Sequence, residues 1–441
     1  MLMIKWSAQR RLTADFIWTL AANLVYAASQ WGIVVILAKL GSAEQVGEYA
    51  LGMAVSAPIV LFSNLQLRAL MVSDIEGRFS FGQYRTFRLV SLAIAMVAVA
   101  VAAVAADPSE RMRGIILLVG FAQALEFLSD AYYGLMQTHQ RMDRVAMSLL
   151  IKGPLALAAL WGAMYISHTV LWAVTGLILG RLAVFLVWDS HLGLRQAQRR
   201  MPQFHFEWDR KRMLALFRTA VPLGVISMLL SLNSNIPRYF VEGFTGKADL
   251  GVYSAIASLL TAGSLVMNAL GQSLYLPVAE ACTSLNRSKY RAYGALGTGT
   301  GMVLGIGAVL TAWLFGKDLL TRIFRPEYGA HADLLVRLML AGTLAFAASG
   351  LGYVITAARS FYPQVPLLLC AAAAATGVSG WAVPRYGSMG AADAVLAASL
   401  VQLLGTGLIF LRVDRRLRSA AQTPQPSRAA GRLQSMEIEA R

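Results

Sequence analysis

Long runs of apolar residues, separated by short polar segments, follow one another along almost the whole of this 441-residue chain. Most runs reach about 20 residues, which is enough for an α-helix to cross a hydrocarbon core of about 30 Å. The pattern predicts twelve membrane-spanning helices, at approximately residues 15–39, 47–72, 88–106, 114–137, 146–166, 169–188, 214–241, 249–279, 293–315, 331–357, 363–383 and 389–411. We therefore expect an all-α polytopic membrane protein with both termini on the same side of the membrane.

A short motif recurs in the two halves of the chain. Residues 46–49 (VGEY) superimpose on residues 250–253 (LGVY) after a shift of 204 residues, and each copy lies between the first and second span of its half. Each half has an even number of spans, so the copies keep the same orientation, which predicts parallel repeats about an axis along the membrane normal. The predicted domains are an N-terminal six-helix lobe with its following cytoplasmic loop (1–200), a C-terminal six-helix lobe (201–413) and a disordered basic cytoplasmic tail (414–441).

Composition and charge support a membrane location. Hydrophobic residues make up 57% of the chain and charged residues 14%, whereas a soluble domain carries about a quarter charged residues. In a soluble protein the net charge of +16 would suggest a nucleic-acid partner. Here most of the 39 Lys and Arg residues fall on the side of the two termini, as the positive-inside rule expects of cytoplasmic segments. We predict cytoplasmic termini, a surface-lying basic segment at 203–212, contacts with membrane lipids and no nucleic-acid partner.

Seven cations fall inside the predicted spans, where a charge is costly unless it has a partner or a task. Three lie near span ends and are expected to reach the lipid headgroups: Lys39, Arg218 and Arg337. Four lie deeper: Arg68, Lys152, Arg181 and Arg238. Because Arg and Lys bind oxyanions strongly at low dielectric constant, an anionic cargo is one explanation for these four. Internal ion pairs are the other explanation, with Glu126, Asp130 or Glu242 as partners.

Polar side chains at helical spacing form stripes on several predicted spans. Such faces cannot point at lipid and must meet each other or water. Hydrogen bonds between helices explain the Ser-rich eighth span, but two carboxyl groups on one face of the fourth span favour a cavity. We expect spans one, two, four, seven and eight to line it. The candidate substrate-binding residues are Arg68, Arg238, Lys152, Arg181, Asn64, Asn235, Asn23 and Gln30, and the candidates for ion coupling or sugar contact are Glu126 and Asp130.

Five segments, spread over almost the full length of the chain, carry a resemblance. They are LGSAEQVGEYALG (40–52), YGLMQTHQRMDRVAMS (133–148), IPRYFVEGFTGKADLGVYSAIASL (236–259), IFRPEYGAHADLLVRLML (323–340) and RYGSMGAADAVLAAS (385–399). The chain resembles the polysaccharide transporter family, which contains the Wzx-like oligosaccharide flippases, of the multidrug/oligosaccharidyl-lipid/polysaccharide exporter superfamily. The motifs are degenerate, so they indicate the superfamily better than the cargo.

The resemblance implies two six-helix lobes, a central cleft and alternating access in the bacterial inner membrane. The implied cargo is an undecaprenyl-diphosphate-linked oligosaccharide, which would be moved to the periplasmic leaflet. Glycosyltransferases and a polysaccharide polymerase are the implied functional partners. By position, Arg68 and Arg238 are the candidates for the diphosphate, with Lys152 and Arg181 behind them. Glu126 and Asp130 would bind sugar hydroxyls, pair with the cations, or carry a coupling proton or sodium ion.

Two other functions are weighed against this one. A cation-coupled multidrug exporter of the same superfamily would use Glu126 and Asp130, but cations in the cavity would repel cationic drugs. An integral-membrane polymerase or ligase would need catalytic residues in a sizeable outer loop, and the predicted outer loops are mostly short. The five His residues form no cluster in the sequence, and the phosphate-binding pattern GxxxxGK[ST] does not occur. We expect a carrier rather than an enzyme, with no metal and no cofactor.

Overall fold

The computed structural model describes residues 2–74, 77–107, 109–191, 207–360 and 362–422, with backbone alone at 2–17 and 420–422. These residues are almost entirely helical and contain no strand. The α-helices are α1 (Leu2–Leu40), α2 (Ala43–Asn64), α3 (Leu67–Ser73), α4 (Phe81–Ala106), α5 (Glu110–Thr138), α6 (Met142–Ser167), α7 (Val170–Val184), α8 (Arg210–Thr245), α9 (Lys247–Ala257), α10 (Leu260–Thr283), α11 (Arg287–Ile323), α12 (Ala332–Ala357), α13 (Gln364–Tyr386) and α14 (Ser388–Gln422). The all-α prediction is confirmed.

Twelve stretches of the described residues are long and apolar enough to cross a membrane, which confirms the predicted number of spans. Some spans are built from two pieces. The second span consists of α2 and α3, which are separated by Leu65 and Gln66 in the left-handed region at φ 51° and 50°. The sixth span ends in a π-helical turn at Phe185–Ser190. Interrupted spans free backbone groups at membrane depth, where a functional site can use them.

The two lobes meet along α2, which packs against α8 and α9 of the C-terminal half. At one crossing, a Cβ atom placed on Gly47 would lie 1.8 Å from the carbonyl oxygen of Lys247. A Cβ atom on Gly251 would lie 1.8 Å from the carbonyl oxygen of Ala43. The two contacts are related by the same 204-residue shift as the sequence repeat. This reciprocal contact is what a pseudo-two-fold axis through the crossing produces.

Two polar contacts join the lobes on the same side as this crossing, opposite the termini. Lys247 Nζ lies 2.6 Å from Asp107 Oδ2, and the Arg325 guanidinium donates to the carbonyl oxygen of Lys39 at 2.9 and 3.1 Å. Burial acts to raise the pKa of Asp107, but hydrogen bonds from Lys247 and Ser109 outweigh it and lower that pKa below its ordinary value. The carboxylate therefore stays ionised at neutral pH, and the ion pair holds this side of the bundle together.

The C-terminal helix runs further than the sequence suggested. We expected a disordered tail from residue 414, but α14 continues to Gln422, so that expectation is wrong for 414–422. The reason is Asp414, which is buried and accepts hydrogen bonds from both Arg287 and Arg291 at the start of α11. Residues 423–441 lie outside the described part of the chain, as do the predicted lobe boundary at 200 and the first part, 203–206, of the expected surface segment.

Candidate functional site

An arginine pair in the N-terminal lobe shares one carboxylate. Arg68 Nη1 lies 3.2 Å from Asp130 Oδ1, and Arg88 Nη2 lies 3.9 Å from Asp130 Oδ2. Arg68 also donates from Nε to Gln137 at 3.1 Å and stacks over the Tyr133 ring. Two cations thus face one anion, and this group of side chains carries a net positive charge.

We did not predict Arg88 as a site residue, because the sequence placed it at the cytoplasmic start of the third span. The structure places Arg88 two turns inside α4, fully buried, with Nη1 donating to the carbonyl oxygen of Asn64 at 2.9 Å. The helix starts earlier because Ser80 and Gln83 form a capping box. That Ser-x-x-Gln pattern is readable in the sequence and would have placed Arg88 at membrane depth.

Arg181 joins three helices of the N-terminal lobe. Its guanidinium donates to the carbonyl oxygen of Ala122 at 2.6 Å and to Gln30 Oε1 at 3.0 Å, and its Nε lies 3.5 Å from Glu126 Oε2. Gln30 in turn donates to the hydroxyl of Tyr26 on α1. Two of the candidate cargo contacts, Arg181 and Gln30, are therefore bonded to each other, and Arg181 is also bonded to α5.

Lys152 is enclosed in the core of the N-terminal lobe. Its Nζ lies 2.8 Å from Asp189 Oδ2, and the two side chains are 1% and 0% exposed. Lys152 also donates to the Tyr133 hydroxyl at 2.6 Å, and Ser148 bridges Tyr133 and Asp189. Asp189 lies on the π-helical turn that ends the sixth span, and the sequence interpretation did not name it as a partner. In this conformation Lys152 is buried and paired within the lobe.

Replacing Lys152 by methionine is expected to lower the free energy of unfolding by about 3–5 kcal/mol, because it leaves a buried carboxylate unpaired. Adding Asp189→Leu removes the orphaned charge and is expected to restore most of that loss. Thermal unfolding of the detergent-solubilised protein measures both effects. Arg141→Ala serves as the control, because the exposed Arg141–Asp143 pair is worth about 0–1 kcal/mol. A K152M variant as stable as wild type would show that this pair contributes nothing.

Arg238 in α8 differs from the other deep cations. Its Nη1 donates to Asn235 Oδ1 at 2.8 Å. Within the described residues, no carboxylate lies within 4.0 Å of its guanidinium, and its Nε has no hydrogen-bond partner. The other three deep arginine or lysine candidates are each paired with an acidic side chain. Arg238 is thus a half-buried cation without an acidic partner among the described residues.

A cavity of about 360 Å³ in the C-terminal lobe contains Arg238. Polar side chains line it together with the cation: Asn233, Ser234, Tyr253, Thr261, Ser264, Ser349, Ser399 and Gln402. We expected a cavity lined mainly by spans one, two, four, seven and eight, whereas this cavity is lined by spans seven and eight together with spans ten and twelve. Helices α12 and α14 contribute because small residues such as Gly342, Ala345 and Ala398 leave room there, and Ser399 and Gln402 face the same space.

Arg68 and Arg238 lie at different depths. Gln66, two residues before Arg68 at the helix break of span two, donates across the lobe boundary to the Ser227 hydroxyl at 3.1 Å. Ser227 and Arg238 are both on α8, and the helix rise between them is about 16 Å. A diphosphate group is only a few ångströms long, so the two arginines are separate positions in this conformation.

The remaining candidates are less closely tied to a cavity. Asn23 is exposed and bonds to its own helix at the carbonyl oxygen of Thr19. Asn64 and Asn235 are buried, and the Asn64 side-chain oxygen has no partner. Arg337, expected to reach the headgroups, pairs with Asp393 at 2.9 Å. Among the described residues, none of the four deep cations pairs with Glu242, and no group of three or more acidic, His or Cys residues could hold a metal ion.

Twelve apolar helices in two lobes, with buried ion pairs in one lobe and a polar cationic cavity in the other, define a multi-pass membrane protein with the architecture of a transporter. The chain belongs to the family described as polysaccharide biosynthesis protein, whose profile matches residues 12–280. It is 24% identical over 404 residues to the capsular polysaccharide biosynthesis protein CapF of Staphylococcus aureus, an alignment covering 91% of this chain and 100% of CapF.

The fold is shared with solved transporters. An inward-facing multidrug resistance MATE family transporter of the MOP superfamily superimposes with a TM-score of 0.71 at 10% identity, covering 91% of this chain and 96% of that chain. The lipid II flippase MurJ, in an inward closed conformation, superimposes with a TM-score of 0.70 at 11% identity, covering 93% and 94%. At these identities the likeness establishes the two-lobed fold, as the resemblance implied.

Proposed function

We propose that the protein carries an undecaprenyl-diphosphate-linked oligosaccharide across the bacterial inner membrane by alternating access, with both termini in the cytoplasm. The observation that supports this most strongly is Arg238, which lies in a cavity with no acidic partner within ion-pair distance among the described residues. A cation at membrane depth is stable only when an anion or several dipoles compensate it. A diphosphate supplies that anion and matches the planar fork of the guanidinium.

The rest of the cavity fits a saccharide better than a second charge. Asn233, Ser399 and Gln402 offer neutral donors and acceptors, and Tyr253 adds a ring and a hydroxyl. A volume of 360 Å³ lies within the range of about 300–1,000 Å³ typical of pockets for small ligands. CapF is named for capsular polysaccharide biosynthesis and MurJ for the flipping of lipid II, which agrees with a lipid-linked saccharide.

The two arginines act at successive positions in this proposal. Arg68, near the side of the termini, receives the diphosphate first, and Arg238 receives it about 16 Å further along α8. Glycosyltransferases supply the cargo and a polysaccharide polymerase consumes it, so the chain itself performs no covalent chemistry. Glu126 and Asp130 pair with arginines, which leaves coupling to a proton or sodium ion as a secondary role for them.

A cation-coupled multidrug exporter is the second candidate, because the fold superimposes on a MATE transporter. The positive charge of the cavity argues against a multidrug exporter. The ionic group in the C-terminal cavity is Arg238, and Glu126 and Asp130 are each neutralised by an arginine. A cationic drug would meet a positive field in both lobes.

Equilibrium binding separates the two candidates. The purified protein in detergent is titrated with undecaprenyl diphosphate bearing one N-acetylglucosamine, with undecaprenyl monophosphate, and with ethidium. We expect the diphosphate probe to bind most tightly, the monophosphate more weakly and ethidium not at all. Saturable ethidium binding with no binding of the diphosphate would reverse the choice.

A further inference from the structure

Asp130 stands between two arginines that differ in their access to a ligand. The side chains of Arg68 and Asp130 are 29% and 22% exposed, whereas that of Arg88 is 1% exposed. Asp130 is bonded to Arg68 at 3.2 Å and is only within ionic range of Arg88 at 3.9 Å. The carboxylate therefore pairs with Arg68, the arginine that a cargo can reach, and leaves the inaccessible Arg88 nearly unpaired.

Arg88 has unused donors on the side of Asp130. Its Nη1 is bonded to the Asn64 carbonyl oxygen, but Nε and Nη2 have no hydrogen-bond partner although both are buried. Nη2 is the atom that faces Asp130. Buried guanidinium N–H groups without partners are costly, so a small approach of the Asp130 carboxylate would be favourable. The unbonded donors of Arg88 thus offer the Asp130 carboxylate a second binding position in the lobe.

We propose that the Asp130 carboxylate moves from Arg68 to Arg88 when the diphosphate of the cargo binds Arg68. We call this exchange of partners the hand-over. This inference rests on the proposed function. Before binding, one carboxylate serves two arginines. After binding, the diphosphate pairs with Arg68 and Asp130 pairs with Arg88, so every charge has a partner. Without Arg88, the arriving diphosphate would face a half-buried carboxylate that has lost its only cation.

Arg88 is therefore a positioning residue that never touches the cargo, and Asp130 is the group that releases Arg68. The hand-over also explains how an anion site can contain a carboxylate. Arg68 keeps the Tyr133 ring and Gln137 as fixed neighbours through the exchange, so the guanidinium stays in place while its acidic partner moves.

A double-mutant cycle tests the hand-over. Binding of undecaprenyl diphosphate is measured for wild type and for R88Q, D130N and the R88Q/D130N double variant. We expect R88Q to weaken binding about tenfold, because Asp130 then stays on Arg68. D130N is expected to bind about tenfold more tightly than wild type, because Arg68 is free. The double variant should bind as tightly as D130N, because it lacks the Asp130 carboxylate that stays paired with Arg68 in R88Q.

A purely structural role for Arg88, holding the Asn64 carbonyl oxygen at the break between α2 and α3, predicts a different result. The two substitutions would then act independently, so the double variant would bind about as tightly as wild type or more weakly, and that outcome overturns the hand-over. If R88Q does not fold, R88K replaces it in the cycle, and D130N alone still decides: binding no tighter than wild type refutes the proposal. Failure of wild type itself to bind the diphosphate would instead refute the proposed function.

Discussion

Replacing Arg238 by alanine is expected to weaken binding of the diphosphate-linked probe by about 30-fold or more. The loss corresponds to about 2 kcal/mol for a charge-assisted contact in a desolvated site. Because no acidic side chain among the described residues pairs with Arg238, its removal leaves no carboxylate without its partner, and the fold should tolerate the substitution. Thermal unfolding of R238A in detergent is expected to match wild type.

Arg218→Ala is the matched control for this experiment. Arg218 lies on the same helix, is exposed and belongs near the end of the span. It should change binding by less than about twofold, since exposed charges act through a screened field. Equal losses for R218A and R238A would indicate a general effect of surface charge and would remove Arg238 from the cargo site.

The second large effect is expected at the crossing of Gly47 and Gly251. A methyl group at either position would lie 1.8 Å from a backbone oxygen of the facing helix, a distance that no side-chain rotation relieves. Gly47→Ala and Gly251→Ala should each force α2 and α9 apart and abolish transport by disfavouring the conformation in which this side is closed. Because one methyl group suffices to separate the helices, the double variant should be no worse than either single variant.

Spin labels at Glu110 and Asp318, exposed positions in the two lobes on that side, report the separation. Cys282 and Cys370, which are free thiols, are replaced by serine in this background. The label-to-label distance should increase in G47A and G251A. Gly243→Ala is the control, since a Cβ atom there meets nothing within 4 Å. An unchanged distance with full transport in G47A would show that the crossing is not a closing contact.

The spans could be predicted because they depend on length and local composition alone. A run of apolar residues long enough to cross the membrane is helical whatever its neighbours are. The repeat was also readable, since the 204-residue shift brought together Gly47 and Gly251, which the structure places against each other. Both features can be read from the sequence without knowing how the helices pack against one another.

The partners of the deep cations could not be predicted in the same way. Pairing depends on how each helix is rotated about its axis, and one sequence does not fix those rotations. Lys152 was thus assigned to a cargo site, whereas it forms a buried ion pair with Asp189 on another helix. The lining of the C-terminal cavity was missed for a related reason. Polar residues such as Ser399 and Gln402 are sparse on α14, and it is the small residues around them that open the space.

In the function that we propose, this chain moves a diphosphate-linked saccharide between leaflets, with Arg68 and Arg238 as its contacts. The most direct test reconstitutes the protein in vesicles containing undecaprenyl-diphosphate-N-acetylglucosamine with a fluorescent label on the sugar, and then adds a membrane-impermeant quencher. We predict quenching of both leaflets with wild type and with R218A, and quenching of the outer leaflet alone with R68A, R238A or protein-free vesicles. Full quenching by both R68A and R238A would contradict the account.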